Sequence, residues 1–194
     1  MESQNKDRLA RIIGPFLINR IILCSADAHP RSQRNLPGTA AFFFPGGKWV
    51  GAFRNAANYL NCRFVILTTG HGLKNPDDII EPYDIHIDDH PEEVDNIWRE
   101  TIPNLMGDSL YDLMIFYSGG CPRDTYVEHL RPILHSLGIS LLTFGRPNMF
   151  DIGKTREMVE LLTEGATCQN IRAILRCPDR FAFYPVSKRP KVSV

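Results

Sequence analysis

The chain has 194 residues, 43% of them hydrophobic, which suits one α/β domain with a small appendage. Its 22 basic and 22 acidic side chains cancel, which argues against strong non-specific DNA binding by the whole molecule. No segment approaches the roughly 18 apolar residues of a membrane span, so no membrane partner is expected. The polar stretch Met1 to Arg11 reads as no secretory signal, and a cytoplasmic location is the expectation. Cys24, Cys62, Cys121, Cys168 and Cys177 are scattered and form no C-x-x-C pair, which argues for reduced thiols rather than a disulfide framework or a cysteine zinc site. Cys24 and Cys121 each end a strand or start the loop after it and so could lie near a ligand, with burial as small hydrophobes the preferred reading.

Residues up to Asn19 read as a short helix and lead-in. Ile18 to Leu23 reads as the first core strand, followed by Cys24-Ser25-Ala26-Asp27. Ala28 to Gly47, rich in Pro and Gly, is too long for an ordinary connection and reads as a functional loop or flap. Gly46-Gly47 would either expose helix N-terminal amides to an anion or act as a hinge. Lys48 to Leu60 carries Val50, Phe53, Ala57 and Leu60 on one stripe, which predicts a helix.

The stretch Phe64 to Ile87 is the most informative. Phe64 to Leu67 reads as a buried strand ending in Thr68-Thr69-Gly70-His71-Gly72, where two glycines, two hydroxyls and an imidazole supply what a binding loop needs. Leu67-Thr68, Gly72-Leu73, Pro76, Asp78, Ile80 and Pro82-Tyr83 fall at matching places in L-S-x-x-Y-G-L-x-x-P-x-D-x-I-x-P-Y. On these residues the stretch resembles the YaaA-like peroxide-stress proteins. It is also similar to uncharacterised bacterial and phage proteins that share the G-L and I-x-P-Y elements. His71 stands where the first pattern has Tyr, and Thr68 where it has Ser. The resemblance covers about 20 residues and implies a role in oxidative stress with duplex-DNA binding.

Asp84 to Asp88 alternates and reads as an edge strand. The run Asp84, His86, Asp88, His90 puts carboxylates and imidazoles on one side, an arrangement that serves metal ligation or a charged edge; the charged edge is preferred, and no metal is expected. Pro91 opens a helix with Val94, Ile97, Trp98, Ile102 and Leu105 buried, which Pro103 should bend or end. Leu113 to Tyr117 is a third strand, followed by Ser118-Gly119-Gly120. Pro122, Arg123 and Asp124 open a helix that lines up Tyr126, Leu130, Ile133, Leu134 and Leu137, with Pro132 an irregularity within it, and Gly138 closes it. Ser140 to Thr143 is the fourth strand, followed by Phe144-Gly145-Arg146. Gly153 to Leu162 reads as a helix capped by Asp151, and Thr167 as the cap of a second short helix that runs to Arg176. The pair resembles a helix-turn-helix in outline, with Arg172 and Arg176 on its second helix, while two packed helices without nucleic acid are the preferred reading.

Strands alternating with helices predict an α/β fold, an open and mostly parallel Rossmann-like sheet of four to five strands with helices on both faces. The domains would be a core at 1–150, a helical hairpin at 151–186 packed on it, and a basic tail at 187–194. From Ile171 onward six basic residues face one acidic residue, whereas twelve acidic residues and one basic lie between Asp77 and Asp112. The basic end leaves room for a nucleic-acid partner, with a solvated tail as the plainer reading.

In such sheets ligands bind outside the carboxyl ends of the strands. The loop starts at Ser25, Thr69, Ser118 and Gly145 would therefore converge on one crevice. Ser25, Thr68, Thr69, Gly70, Gly72 and Tyr83 are ligand-binding candidates. Ser118, Gly119, Gly120, Arg123 and Arg146 are candidates for holding a phosphate. Glu81, Asp84 and His71 are the candidate acid-base groups. Phosphate-loop, nucleophile-elbow, H-E-x-x-H and G-x-G-x-x-G motifs are missing, which argues against the common NTPases, hydrolases, zincins and dinucleotide enzymes, and no cofactor is expected. Three readings stand: a nucleotide- or nucleobase-binding protein, with action on an N-glycosidic bond as its chemistry; a YaaA-like DNA-binding stress protein; and a non-enzymatic partner-binding protein.

Overall fold

The computed structural model describes residues 12–27, 38–40, 48–106, 111–117, 124–145 and 149–186. Its strands are β1 (Ile21–Ala26), β2 (Gly38–Thr39), β3 (Arg63–Thr68), β4 (Gly72–Lys74), β5 (Ile79–Ile80), β6 (Leu113–Tyr117), β7 (Ser140–Phe144) and β8 (Ala182–Tyr184). The helices are α1 (Lys48–Leu60), α2 (Pro91–Met106), α3 (Asp124–Ser136), α4 (Thr155–Glu164) and α5 (Cys168–Ile174). Six strands form one sheet in the order β4-β3-β1-β6-β7-β8, and β2 pairs separately with β5. The four central strands are parallel and the two edges antiparallel, so the fold is α/β with a mostly parallel sheet, as the sequence pattern predicts.

The central strands carry apolar side chains on both faces because both faces are covered. Ile21 and Leu23 of β1 point toward Val50, Phe53, Ala57 and Leu60, the predicted stripe of α1. Ile22 and Cys24 point the other way, toward Val94, Trp98 and Ile102 of α2 and Leu130 and Leu134 of α3. Burial drives the Cys24 thiol far above its usual pKa and leaves it an inert core residue. Met158, Val159 and Leu162 of α4 and Ile171 of α5 enter the same core as α1.

Three helices end alike. Asn61, Gly138 and Gly165 each take a positive φ, and the next residue's N–H returns to a carbonyl five positions back: Cys62 to Ala57, Ile139 to Leu134, Ala166 to Leu161. Thr167 caps α5 as predicted, in a reciprocal box: its hydroxyl accepts the Asn170 N–H while Asn170 Oδ1 accepts the Thr167 N–H.

Several expectations require correction. The first strand is Ile21–Ala26, not Ile18 to Leu23: Ile18–Arg20 form a 3-10 turn, and the small residues Cys24, Ser25 and Ala26 complete the ladder to Val65, Ile66 and Leu67. Hydropathy alone undervalues such residues. Asp84 to Asp88 is not a strand, because β4 already occupies the free edge of β3. The alternation there still has a use: Ile87 is buried and Ile85 packs beside it, so the segment straps the α2 and α3 side of the core without a ladder. Pro103 does not end α2, which continues to Met106 with Ile102 and Met106 both buried.

Asp151 does not cap α4. It is fully buried in the 3-10 turn Met149–Lys154, and its carboxylate accepts the main-chain N–H groups of Arg176 (2.7 Å) and Cys177 (2.9 Å). It thereby ties the chain beyond α5 to the start of α4. Asp151→Asn retains one acceptor and turns an amide against the other N–H. Urea unfolding should show it about 2 kcal/mol less stable than the wild type.

Candidate functional site

Chain order fixes where the winding of the sheet reverses. From β1 the chain crosses to β3 on one side, and β6 lies on the other, so the winding direction reverses between β1 and β6. Open α/β sheets bind ligands outside such a reversal, at the carboxyl ends of the strands. Asp27 stands there, directly after β1. Its main-chain N–H continues the ladder to the Leu67 carbonyl at 2.9 Å, which holds the residue in line with the sheet.

The Asp27 carboxylate gathers donors from three other parts of the chain. Oδ2 accepts the Thr69 N–H at 2.9 Å and the Tyr83 hydroxyl at 2.8 Å; Oδ1 accepts the Tyr126 hydroxyl at 2.6 Å. The Thr69 hydroxyl lies 3.2 Å from Oδ2, but its single proton goes to the closer Ile85 carbonyl at 2.5 Å. Burial raises the Tyr83 pKa well above the usual tyrosine value, and the neighbouring Asp27 charge and hydrogen bond push it further. Tyr83 therefore keeps its proton and serves Asp27 as a donor.

Behind this carboxylate the Thr68–Gly72 turn is rigidly built. The Thr68 hydroxyl donates to the Gly72 carbonyl (2.9 Å) and accepts the His71 N–H (3.1 Å), and the Trp98 indole N–H donates to the Thr68 carbonyl (2.9 Å). Gly72 has φ +68°, and a Cβ there would overlap the Thr101 side chain. A Cβ on Gly70 would overlap the Tyr83 ring. These glycines thus permit close packing on their own neighbours. His71 Nε2–H donates to the Glu81 carbonyl (2.8 Å), since a carbonyl only accepts, and the imidazole stands edge-on to Tyr83 with centroids 5.1 Å apart. His71 buttresses Tyr83.

Of the residues singled out from sequence, Thr69 and Tyr83 meet at Asp27, and Thr68, Gly70, His71 and Gly72 form their support. The side chains of Glu81 and Asp84 are exposed, and Glu81 serves the turn through its main chain. Ser25 is fully buried within β1 between Ile66 and Tyr117, and its hydroxyl has no hydrogen-bond partner among the described residues. Gly145, at φ +119°, lies against the Tyr117 ring. Ser118, Gly119, Gly120, Arg123 and Arg146 lie outside the described residues, as do Cys121, Gly46-Gly47 and the 187–194 tail. Part of the long 28–47 segment is described: β2 pairs with β5, and the Ala40 N–H donates to the Asp78 carbonyl at 2.8 Å. This brings it against the loop that leads to Tyr83.

Asp27 and Tyr126 were not among the candidates. Asp27 carried one signal, as the first charged residue after an apolar strand. Tyr126 reads as part of the core face of α3, and its ring does lie there, 5.3 Å from Trp98 and 6.2 Å from Phe116, while its hydroxyl reaches Asp27. Among the described residues no group of three or more His, Cys, Asp or Glu side chains is placed to hold a metal, and no helix is long and apolar enough to cross a membrane. The chemical capacity of the site is that of an oriented acceptor. A fixed carboxylate takes hydroxyl or N–H donors from a ligand and favours positive charge that develops beside it.

The fold defines a protein of the open α/β class with its carboxylate at the reversal point. The chain matches no family model, no curated protein and no solved structure.

Proposed function

We propose that this protein binds a nucleobase-sugar ligand, a nucleoside or nucleotide, outside the carboxyl ends of β1, β3 and β6. The observation that carries the reading is the Asp27 carboxylate, oriented at the reversal point by two phenols and a main-chain amide. Such a group reads the hydroxyls of a sugar or the N–H groups of a base, and Tyr83 with His71 forms an aromatic wall beside it. Ser118, Gly119, Gly120 and Arg123 follow β6 in the sequence and are the proposed phosphate-holding residues on that ground alone. If the bound ligand is turned over, cleavage of its N-glycosidic bond places positive charge on the sugar, which an oriented carboxylate stabilises. Asp27 is better placed for this than the exposed Glu81 or Asp84.

A thermal-shift panel of nucleobases, nucleosides, nucleotides and a short duplex tests the reading. A nucleoside or nucleotide at about 100 times its dissociation constant should add roughly 2.7 kcal/mol of stability. Asp27→Asn should weaken that binding at least about tenfold while the variant still unfolds cooperatively. No response to any nucleobase-containing ligand would end the proposal. A response to duplex alone would return the question to the YaaA-like reading; in the C-terminal pair of helices, however, the Arg172 guanidinium is turned onto Phe181 and not outward.

A further inference from the structure

A second site lies away from the reversal point, where the antiparallel edge strand β8 meets the ends of α3 and α5. A cavity of about 550 Å³ opens there, within the usual range for small-molecule sites. Its floor is apolar, with Ile13, Leu141 and Val186 among the lining residues. Three basic side chains line it as well: Arg131 and His135 from α3 and Arg172 from α5. None of the described lining residues is acidic.

The two arginines are already oriented. The Arg131 guanidinium sits over the Tyr184 ring at 4.9 Å, and that of Arg172 over the Phe181 ring at 5.6 Å. Arg172 Nη2–H donates to the Phe181 carbonyl at 3.3 Å, but its Nε–H is buried with no acceptor among the described residues. A guanidinium carries five N–H donors, and an oxyanion is the partner that its planar fork fits. One face of each ring is taken by an arginine, and the apolar floor would hold the body of a ligand.

We infer that this cavity is a binding site for a small organic oxyanion, a carboxylate, sulfonate or phosphate carried on an apolar body, with Arg172 and Arg131 as its charge anchors. The site is independent of Asp27 and of what binds there. Anilinonaphthalene sulfonate, an anion on an apolar body whose fluorescence rises when it leaves water, is a suitable probe for the 194-residue chain. The expected result is saturable one-to-one binding, displaced by phenyl phosphate and not by benzyl alcohol. Arg172→Met, which keeps the apolar stem, should weaken binding by about tenfold or more. Arg131→Gln, at an exposed position that does not threaten the fold, should weaken it severalfold. Binding that does not saturate, is displaced equally by benzyl alcohol, or survives both substitutions unchanged would overturn the assignment.

Discussion

Asp27→Ala should lower the unfolding free energy by about 3 kcal/mol. The substitution takes the acceptor from the Tyr83 hydroxyl, the Tyr126 hydroxyl and the Thr69 N–H together. Hydrogen bonds to a charged acceptor contribute about 1.5–3 kcal/mol each, and release of a half-buried charge into nothing offsets part of that loss. Guanidinium unfolding measures the difference directly. A double-mutant cycle with Tyr83→Phe should give a coupling of about 1–2 kcal/mol, because the two groups share one bond. If Asp27→Ala unfolds within a few tenths of a kcal/mol of the wild type, the carboxylate does not organise this end of the sheet. Asp27→Asn, which keeps one oxygen acceptor, should fall between the two, and this makes it the variant of choice for binding measurements.

The second large effect belongs to Trp98. Its side chain is fully buried against Tyr126 and the sheet, and its indole N–H holds the Thr68 carbonyl at the start of the turn that carries Thr69. Trp98→Ala should cost about 4 kcal/mol, within the range for removal of a large aromatic side chain from a core. A typical domain has only about 5–15 kcal/mol in total, so much of the reserve would be gone. Trp98→Phe separates the causes. It retains most of the apolar contact and loses the donor, and should cost about 1–2 kcal/mol. Amide hydrogen exchange offers a second measurement: in Trp98→Phe the His71 amide, bonded to the Thr68 hydroxyl, should exchange faster while the β6 amides keep their protection. Equal stability of Trp98→Phe and wild type would mean that the indole bond contributes nothing and that Trp98 acts by volume alone.

The two effects share a cause. Trp98 fixes Thr68, Thr68 fixes His71 and Gly72, and the adjacent Thr69 delivers its N–H to Asp27. The surroundings of Asp27 are thus braced from α2 through a turn whose glycines serve packing rather than ligand approach.

Residue pattern by itself was enough for the architecture. The apolar runs at Phe64, Leu113 and Ser140 are strands within a residue of their expected bounds, and the stripe Val50, Phe53, Ala57, Leu60 is buried along α1. Helix ends were readable too, at Thr167 and Gly138, because caps are local chemistry within a few residues. The turn Thr68 to Gly72 and Tyr83, singled out in the sequence, are the parts that donate to Asp27 or support its donors. What it could not supply was Asp27 as the meeting point of those donors. Asp27 meets partners 42, 56 and 99 positions along the chain, and no local period encodes such a meeting. The same holds for Asp151, whose acceptor role depends on amides 25 and 26 positions away, and for Asp84 to Asp88, whose alternation was legible while the prior claim of β4 on the sheet edge was not. Hydrophobic period and cap chemistry act over a few residues and can be read from the chain; the pairing of a carboxylate with its donors is decided only when the sheet brings distant loops to one end.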